Sequence, residues 1–175
     1  MKKIAVLLHN VRSAHNVGSI FRTADAAGVE RVYLSGYTPR PLDRFGRIQK
    51  EIAKTALGAA TSVPWEYAST PRRFLTAVRK AGWSVVGVEQ DVHAKDYRTF
   101  TSHRSVLCIF GNEVRGLSKV LRSQCDSLIE IPMRGSVIRQ ADHPRHTGRG
   151  KESLNVSVAA GIILFSLTLR KKAST

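Results

Sequence analysis

Apolar residues in this chain come in short unbroken runs, and each run empties into a polar turn before a helix-period stretch begins. The first run is Ile4–Leu8. A helical pattern from about Val17 to Ala27 follows, with Asn16 as the expected N-cap and Gly28 as the C′ residue. Arg31–Leu34 reads as a second strand, ended by the turn signal Gly-Tyr-Thr-Pro. Ile48–Leu57 predicts a short helix and Pro71–Ala81 a better one, stopped by Gly82. Val85–Val88 and Val106–Phe110 are further strands, Leu117–Gln124 a helix, and Leu128–Ile131 a short strand halted by Pro132. A long apolar helix, Val156–Leu169, precedes the basic residues Arg170–Lys172. Strands that are apolar throughout, rather than alternating, belong to sheets covered on both faces. Their alternation with helices predicts an α/β fold with a mostly parallel sheet and helices on both sides.

Three of these strand ends carry chemistry-bearing residues, and an α/β sheet builds its ligand site at the carboxyl edge. After the first strand come Asn10, Arg12, Asn16, Gly18 and Arg22; Arg12 and Arg22 offer planar donor forks suited to phosphate or ribose oxygens. The ordinary explanation is that Asn16 caps the helix and Arg22 is a solvated surface residue. After Val106–Phe110 comes Gly111-Asn112-Glu113-Val114-Arg115-Gly116. There Glu113 either enriches a helix start in negative charge or serves a site, and Gly111 lets backbone approach a flat ligand. The third region is Ile131-Pro132-Met133 with Ser153-Leu154-Asn155, where Ser153 is the expected N-cap and Asn155 has no such ordinary role. No GxGxxG is present, so a Rossmann-type nucleotide site is not supported.

Charge narrows the partners. Among 175 residues, 28 Lys+Arg against 13 Asp+Glu give a net charge of +15, which favours polyanions and above all nucleic acid. The basic residues do not line one amphipathic helix, so a membrane surface is not the expected partner. The two cysteines, Cys108 and Cys125, form no CxxC pair and fit a reducing, cytoplasmic setting. The N-terminal apolar run is too short for a spanning helix and reads as strand one. The length suits one domain, 1–175, with one irregular insertion at about 136–150: Ser136–Gly150, SVIRQADHPRHTGRG. Its His143 and His146 are weak evidence for a metal pair, and no metal is expected.

The segments Asn16–Ala27 (NVGSIFRTADAA), Phe110–Leu117 (FGNEVRGL), Ile131–Met133 and Ser153–Gly161 (SLNVSVAAG) resemble, in this order, the motifs of the SpoU (TrmH-type) family of SPOUT RNA methyltransferases. Lys54–Glu66 (KTALGAATSVPWE) is similar to compact members without an added RNA-binding domain. The resemblance implies an α/β knot fold with a C-terminal trefoil knot, a homodimer, and transfer of methyl from S-adenosylmethionine to a ribose 2′-hydroxyl of tRNA or rRNA. Carried over by motif, the catalytic residues fall on Asn16, Arg22, Glu113, Ser153 and Asn155. The cofactor pocket falls on Gly111, Ile131, Met133 and Leu154, with Val88 beside them. RNA contact falls on Arg12 and Arg22. The family pattern offers Arg22 as a base, but a guanidinium does not deprotonate in proteins. Orientation of the substrate, with Glu113 holding Arg22 or Asn155, is the expected role. One departure is the long segment between Gly135 and Ser153, read as a disordered excursion, an RNA-contacting finger or a change that weakens the pocket. The rival functions are a catalytically silent RNA-binding or ribosome-assembly protein on the same fold, and a base methyltransferase.

Overall fold

The computed structural model describes residues 2–133 and 153–172. The expected insertion, with His143 and His146, lies outside the described residues, as does the path by which the expected knot would thread. The strands are β1 (Ile4–His9), β2 (Arg31–Ser35), β3 (Trp65–Tyr67), β4 (Ser84–Val88), β5 (Lys95–Asp96), β6 (Val106–Phe110) and β7 (Ser127–Glu130). The helices are α1 (Ala14–Ala26), α2 (Lys50–Ala56), α3 (Ala59–Ser62), α4 (Pro71–Lys80), α5 (Lys119–Arg122) and α6 (Val156–Lys172). The strands form one sheet in the order β3-β2-β1-β6-β4-β7-β5, and every neighbouring pair is parallel.

The unalternating strands are buried on both faces, as their composition requires. Successive strand side chains point to opposite faces. Ile4, Val6 and Leu8 of β1 join Cys108 and Phe110 of β6 in a core packed by Val17, Ile20 and Phe21 of α1, Ile52 of α2, and Ile163 and Leu164 of α6. Ala5, Leu7, Leu107 and Ile109 face the other way, onto Leu75 of α4 and Leu121 of α5. Helices therefore cover both sides of a parallel sheet. Among the described residues, no helix is long and apolar enough to cross a membrane.

Several boundaries differ from the sequence reading for local reasons. The N-cap of α1 is Ser13, whose Oγ accepts from the Asn16 N–H at 3.2 Å, so Asn16 lies one turn inside the helix with its amide released. Gly28 does end that helix, at φ 65°. The helix expected over Leu117–Gln124 is confined to Lys119–Arg122, because the Leu117 N–H is taken by Glu89 and Ser118 supplies the cap. Strands β3 and β5 are short additions at the sheet's two edges.

Candidate active site

Register brings the functional turns together. Leu8 of β1 pairs with Phe110 of β6, Phe110 with Val88 of β4, and Val88 with Ile129 of β7. The turns leaving these strands therefore emerge side by side at one carboxyl edge. The chain runs from β1 to β2 and β3 on one side, then places β6 and β4 on the other. That reversal opens a crevice at the C-terminal ends of β1 and β6.

Glu113, in the turn after β6, bridges to the turn after β1. Its carboxylate accepts from the backbone N–H groups of Arg12 (3.0 Å) and Ser13 (3.1 Å) and from the side-chain amide of Asn16 (3.1 Å). Across a sequence separation of about a hundred residues, one carboxylate thus ties the start of α1 to the β6 turn. Burial alone would raise the Glu113 pKa; the hydrogen bonds from Arg12, Ser13 and Asn16 outweigh it, and the group sits below its ordinary value. Asn112 shapes the turn itself: its Oδ1 accepts from the N–H groups of Val114 (2.9 Å) and Arg115 (2.8 Å). Its Nδ2 donates to the Asn10 carbonyl at 3.0 Å.

The network continues to the C-terminal motif. The Asn155 amide donates to Asn16 Oδ1 at 3.1 Å, while Asn155 Oδ1 accepts from Ser157 N–H (2.8 Å) and Oγ (2.6 Å). Asn155, not Ser153, is the N-cap of α6. The result is a continuous amide–carboxylate chain, Asn155–Asn16–Glu113, that joins all three motif regions.

Arg22 stands apart from this chain. It is exposed on α1, six residues beyond Asn16 and so ~9 Å further along the axis, with no hydrogen bond or ion pair among the described residues. Glu113 therefore positions Asn16 rather than Arg22. Arg12 is also exposed, its guanidinium free of carboxylate partners among the described residues. Ser153 is exposed at the mouth.

The residues expected around a cofactor are half-buried at the same edge: Val88, Ile131, Met133 and Leu154. The Ile131 carbonyl accepts from Gln90 Nε2 at 2.8 Å. Gly111 has a different explanation from the expected one. A Cβ there would lie 2.6 Å from the Gly116 carbonyl carbon and 2.7 Å from the Leu117 nitrogen, so this glycine lets the turn fold back on its own strand. Sequence reasoning missed Glu89 and His9, and placed Asn10 in the first turn without giving it a role. Glu89 is half-buried beside Gly116; burial pushes its pKa up despite the hydrogen bond from the Leu117 N–H. Asn10 sits at φ 58°, a conformation asparagine tolerates, and receives the Tyr37 N–H on its Oδ1 at 3.2 Å. Its own Nδ2 meets His9 Nε2 at 3.0 Å. The signal for Asn10 was an asparagine directly after a buried strand; Glu89 and His9 gave none.

The combination defines an α/β protein with a polar, carboxylate-organised site at a sheet switch point. A family model described as the SpoU rRNA Methylase family matches residues 3–139. This chain belongs to that family. A 23S rRNA (guanosine-2'-O-)-methyltransferase RlmB from Ralstonia nicotianae is 34% identical over 166 residues, covering 93% of this chain and 57% of that protein. Among solved structures, an AdoMet-bound rRNA methyltransferase from Sinorhizobium meliloti superposes with a TM-score of 0.78 at 32% identity, covering 97% of this chain and 56% of the other. The A. aeolicus TrmH/SpoU tRNA modifying enzyme gives 0.79 at 26% identity, covering 99% and 78%. The chain thus spans little more than half the length of the first two relatives.

Proposed function

We propose that this chain is an S-adenosylmethionine-dependent RNA methyltransferase acting on a ribose 2′-hydroxyl of tRNA or rRNA. The observation that carries the reading is the Asn155–Asn16–Glu113 chain, which gathers three separated motifs at one sheet edge in a family whose relatives include a 2'-O-methyltransferase. The half-buried apolar residues Val88, Ile131, Met133 and Leu154, beside the turn at Gly111, suit a flat ring with polar substituents read by strand-end backbone. They would hold S-adenosylmethionine, which when bound supplies an electrophilic sulfonium methyl.

Methyl transfer of this kind is an in-line displacement, so alignment and electrostatics dominate. Glu113 fixes the start of α1 and the Asn16 amide; Asn16 in turn fixes Asn155 at the mouth of the crevice. Arg12 and Arg22 lie on the exposed side, free to grip phosphate and ribose oxygens of the RNA. Ser153 stands at the same mouth as a hydroxyl partner. This scheme calls on no metal. The chain acts as a single knotted domain and as a homodimer, α6 supplying the second copy's seat: the apolar side chains of Val158 and Phe165 on this helix are exposed. The two unpaired thiols suit a cytoplasmic setting.

The test has two arms. S-adenosylmethionine titrated calorimetrically gives a saturable signal for the enzyme and none for a silent RNA-binding protein. RNA carrying a 2′-deoxy nucleotide at the mapped target blocks transfer, whereas a base methyltransferase continues to work. Because Asn155 caps α6, Asn155→Ala would confound catalysis with stability. Asn155→Ser keeps a competent cap and removes the amide, and Arg22→Ala touches no described partner. Each is expected to lower methyl transfer at least about tenfold, the loss of one oriented polar contact in the transition state, with an unchanged melting temperature. Wild-type turnover in either variant removes that residue from the site.

A further inference from the structure

The loop 36–49, which leaves β2 at the same edge as the site, has no assigned role. It holds an unusual concentration of exposed apolar side chains: Tyr37 is 57% exposed, Phe45 65% and Ile48 68%, with Leu42 at 39%. It also carries three arginines, Arg40, Arg44 and Arg47, against one acid, Asp43.

That acid is spent on building the loop. Asp43 Oδ1 accepts from the N–H groups of Phe45 (2.8 Å) and Arg47 (2.9 Å), and its Oδ2 accepts from Arg47 Nε at 2.7 Å. The backbone closes on itself as well, Asp43 N–H donating to the Arg47 carbonyl at 2.9 Å. The tight turn lifts Phe45 into solvent with the Arg44 and Arg47 guanidiniums 4.7 and 5.0 Å from its ring centre. Arg40 lies over the Tyr67 ring at 3.5 Å. Arg47 is pinned by Asp43, whereas Arg44 and Arg40 meet no carboxylate among the described residues. Between them runs a cleft of about 360 Å³ lined by Tyr37, Pro39, Arg40, Leu42, Arg44 and Gln49.

The loop is coupled directly to the candidate active site. Tyr37 Oη accepts from Asn112 Nδ2 at 3.0 Å, and the Tyr37 N–H donates to Asn10 Oδ1. Asn112 is the residue that shapes the Glu113 turn, so the cleft opens within one side chain of it. Tyr67 Oη, donating to the Gly36 carbonyl at 2.7 Å, holds the other end.

Resting on the reading of the chain as an RNA methyltransferase, we propose that loop 36–49 is a docking platform for an unpaired nucleotide of the substrate RNA beside the target ribose. Its base stacks on Phe45 and its flanking phosphates are taken by Arg44 and Arg40. Aromatic rings interleaved with arginines are what single-stranded RNA requires: a π face for the base and cations for the backbone. Arg44 can leave the ring for a phosphate, since no carboxylate holds it, and its departure frees a ring face. A second copy of this chain fits poorly, because this patch meeting itself would set three arginines against three.

The experiment measures binding of a short fluorescein-labelled single-stranded RNA, and of the same strand annealed to its complement, to wild type, Phe45→Leu, Phe45→Trp and Arg44→Ala. Phe45→Leu is expected to weaken the single strand about fivefold or more, the low end of loss of one stacked base. Phe45→Trp restores or exceeds wild-type affinity, and the duplex is insensitive to all three changes. Arg44→Ala is expected to reduce the salt slope for the single strand by about 0.7, one phosphate contact. Equal affinity of wild type and Phe45→Leu overturns the platform. So does a Phe45→Leu protein that binds RNA normally but changes its sedimentation, which would mark a protein interface. S-adenosylmethionine titration of the same variants keeps the two readings apart. Absence of cofactor binding in the wild type sinks the catalytic reading, while single-strand affinity left unchanged by Phe45→Leu sinks this one.

Discussion

At the scale of single residues, Glu113 controls more than its own turn. Its carboxylate accepts the Arg12 and Ser13 N–H groups just ahead of α1 and the Asn16 side-chain amide, so it anchors the start of that helix from another strand. A carboxylate whose folded-state pKa is depressed contributes stability that is present above its unfolded value and lost as pH falls through the folded one. The ordinary value is 4.5, and Glu113 lies below it. Glu113→Gln is therefore expected to melt at a lower temperature than wild type near neutral pH, with the gap closing as pH drops below 4.5. Thermal melts over an acid series check this; a gap independent of pH would mean the charge is not what matters. Asn16 and Glu113 stood out as polar residues near buried strand ends and Asn155 as one without an ordinary role, and the family resemblance named all three as site residues. Their duties were misassigned for a physical reason. Ser13 and Asn16 are both good caps one turn apart, as are Ser153 and Asn155 nearby, and only the bonds each makes in the folded chain decide between them.

Elements show where pattern stops being informative. The strands β1, β4 and β6 were readable because their apolar runs are buried on both faces, and their ends were placed to within about a residue. Strand β3 was not, since Trp65-Glu66-Tyr67 becomes a strand by pairing with Val32–Leu34 rather than by any run of its own. The two residues of β5 are likewise recruited by β7. Helix contacts were also invisible to periodicity. Gly18 lies where α1 crosses α2: a Cβ there would stand 2.0 Å from Thr55 Oγ1 and 2.5 Å from the Ile52 carbonyl oxygen. Rotation can displace the hydroxyl, but the carbonyl belongs to the helix backbone. Gly18→Ala should thus push the two helices apart, costing about 1–3 kcal/mol despite alanine's better helix propensity. Denaturant unfolding measures this, and a stabilised variant would show that the helices separate without cost. Because α1 also carries Asn16, the same variant is expected to lose methyl transfer more steeply than stability alone explains.

For the whole molecule, the open question is what covers α6. A helix that is apolar around most of its circumference is buried on more than one side. Within one copy, Ala160, Ile163 and Leu164 pack inward against the sheet and α1, while Val158 and Phe165 stay exposed seven residues apart on another face. Gly161 lies between them, and among the described residues nothing comes within 4 Å of where its Cβ would be. Such a stripe, bulky at its ends and bare in the middle, suits close approach of a second helix. The proposed homodimer can then be tested without disturbing the fold. The Cβ that Gly161→Leu adds has no described neighbour within 4 Å, and the change improves intrinsic helix propensity by roughly 1 kcal/mol, so the individual protomer should fold at least as well. The added side chain nevertheless fills the space the partner helix needs, and sedimentation velocity over a concentration series is expected to show a shift toward monomer. If methyl transfer falls in step with dimer content, the site depends on the second copy. An unchanged dimer would place the interface on another face and leave α6 covered by something else.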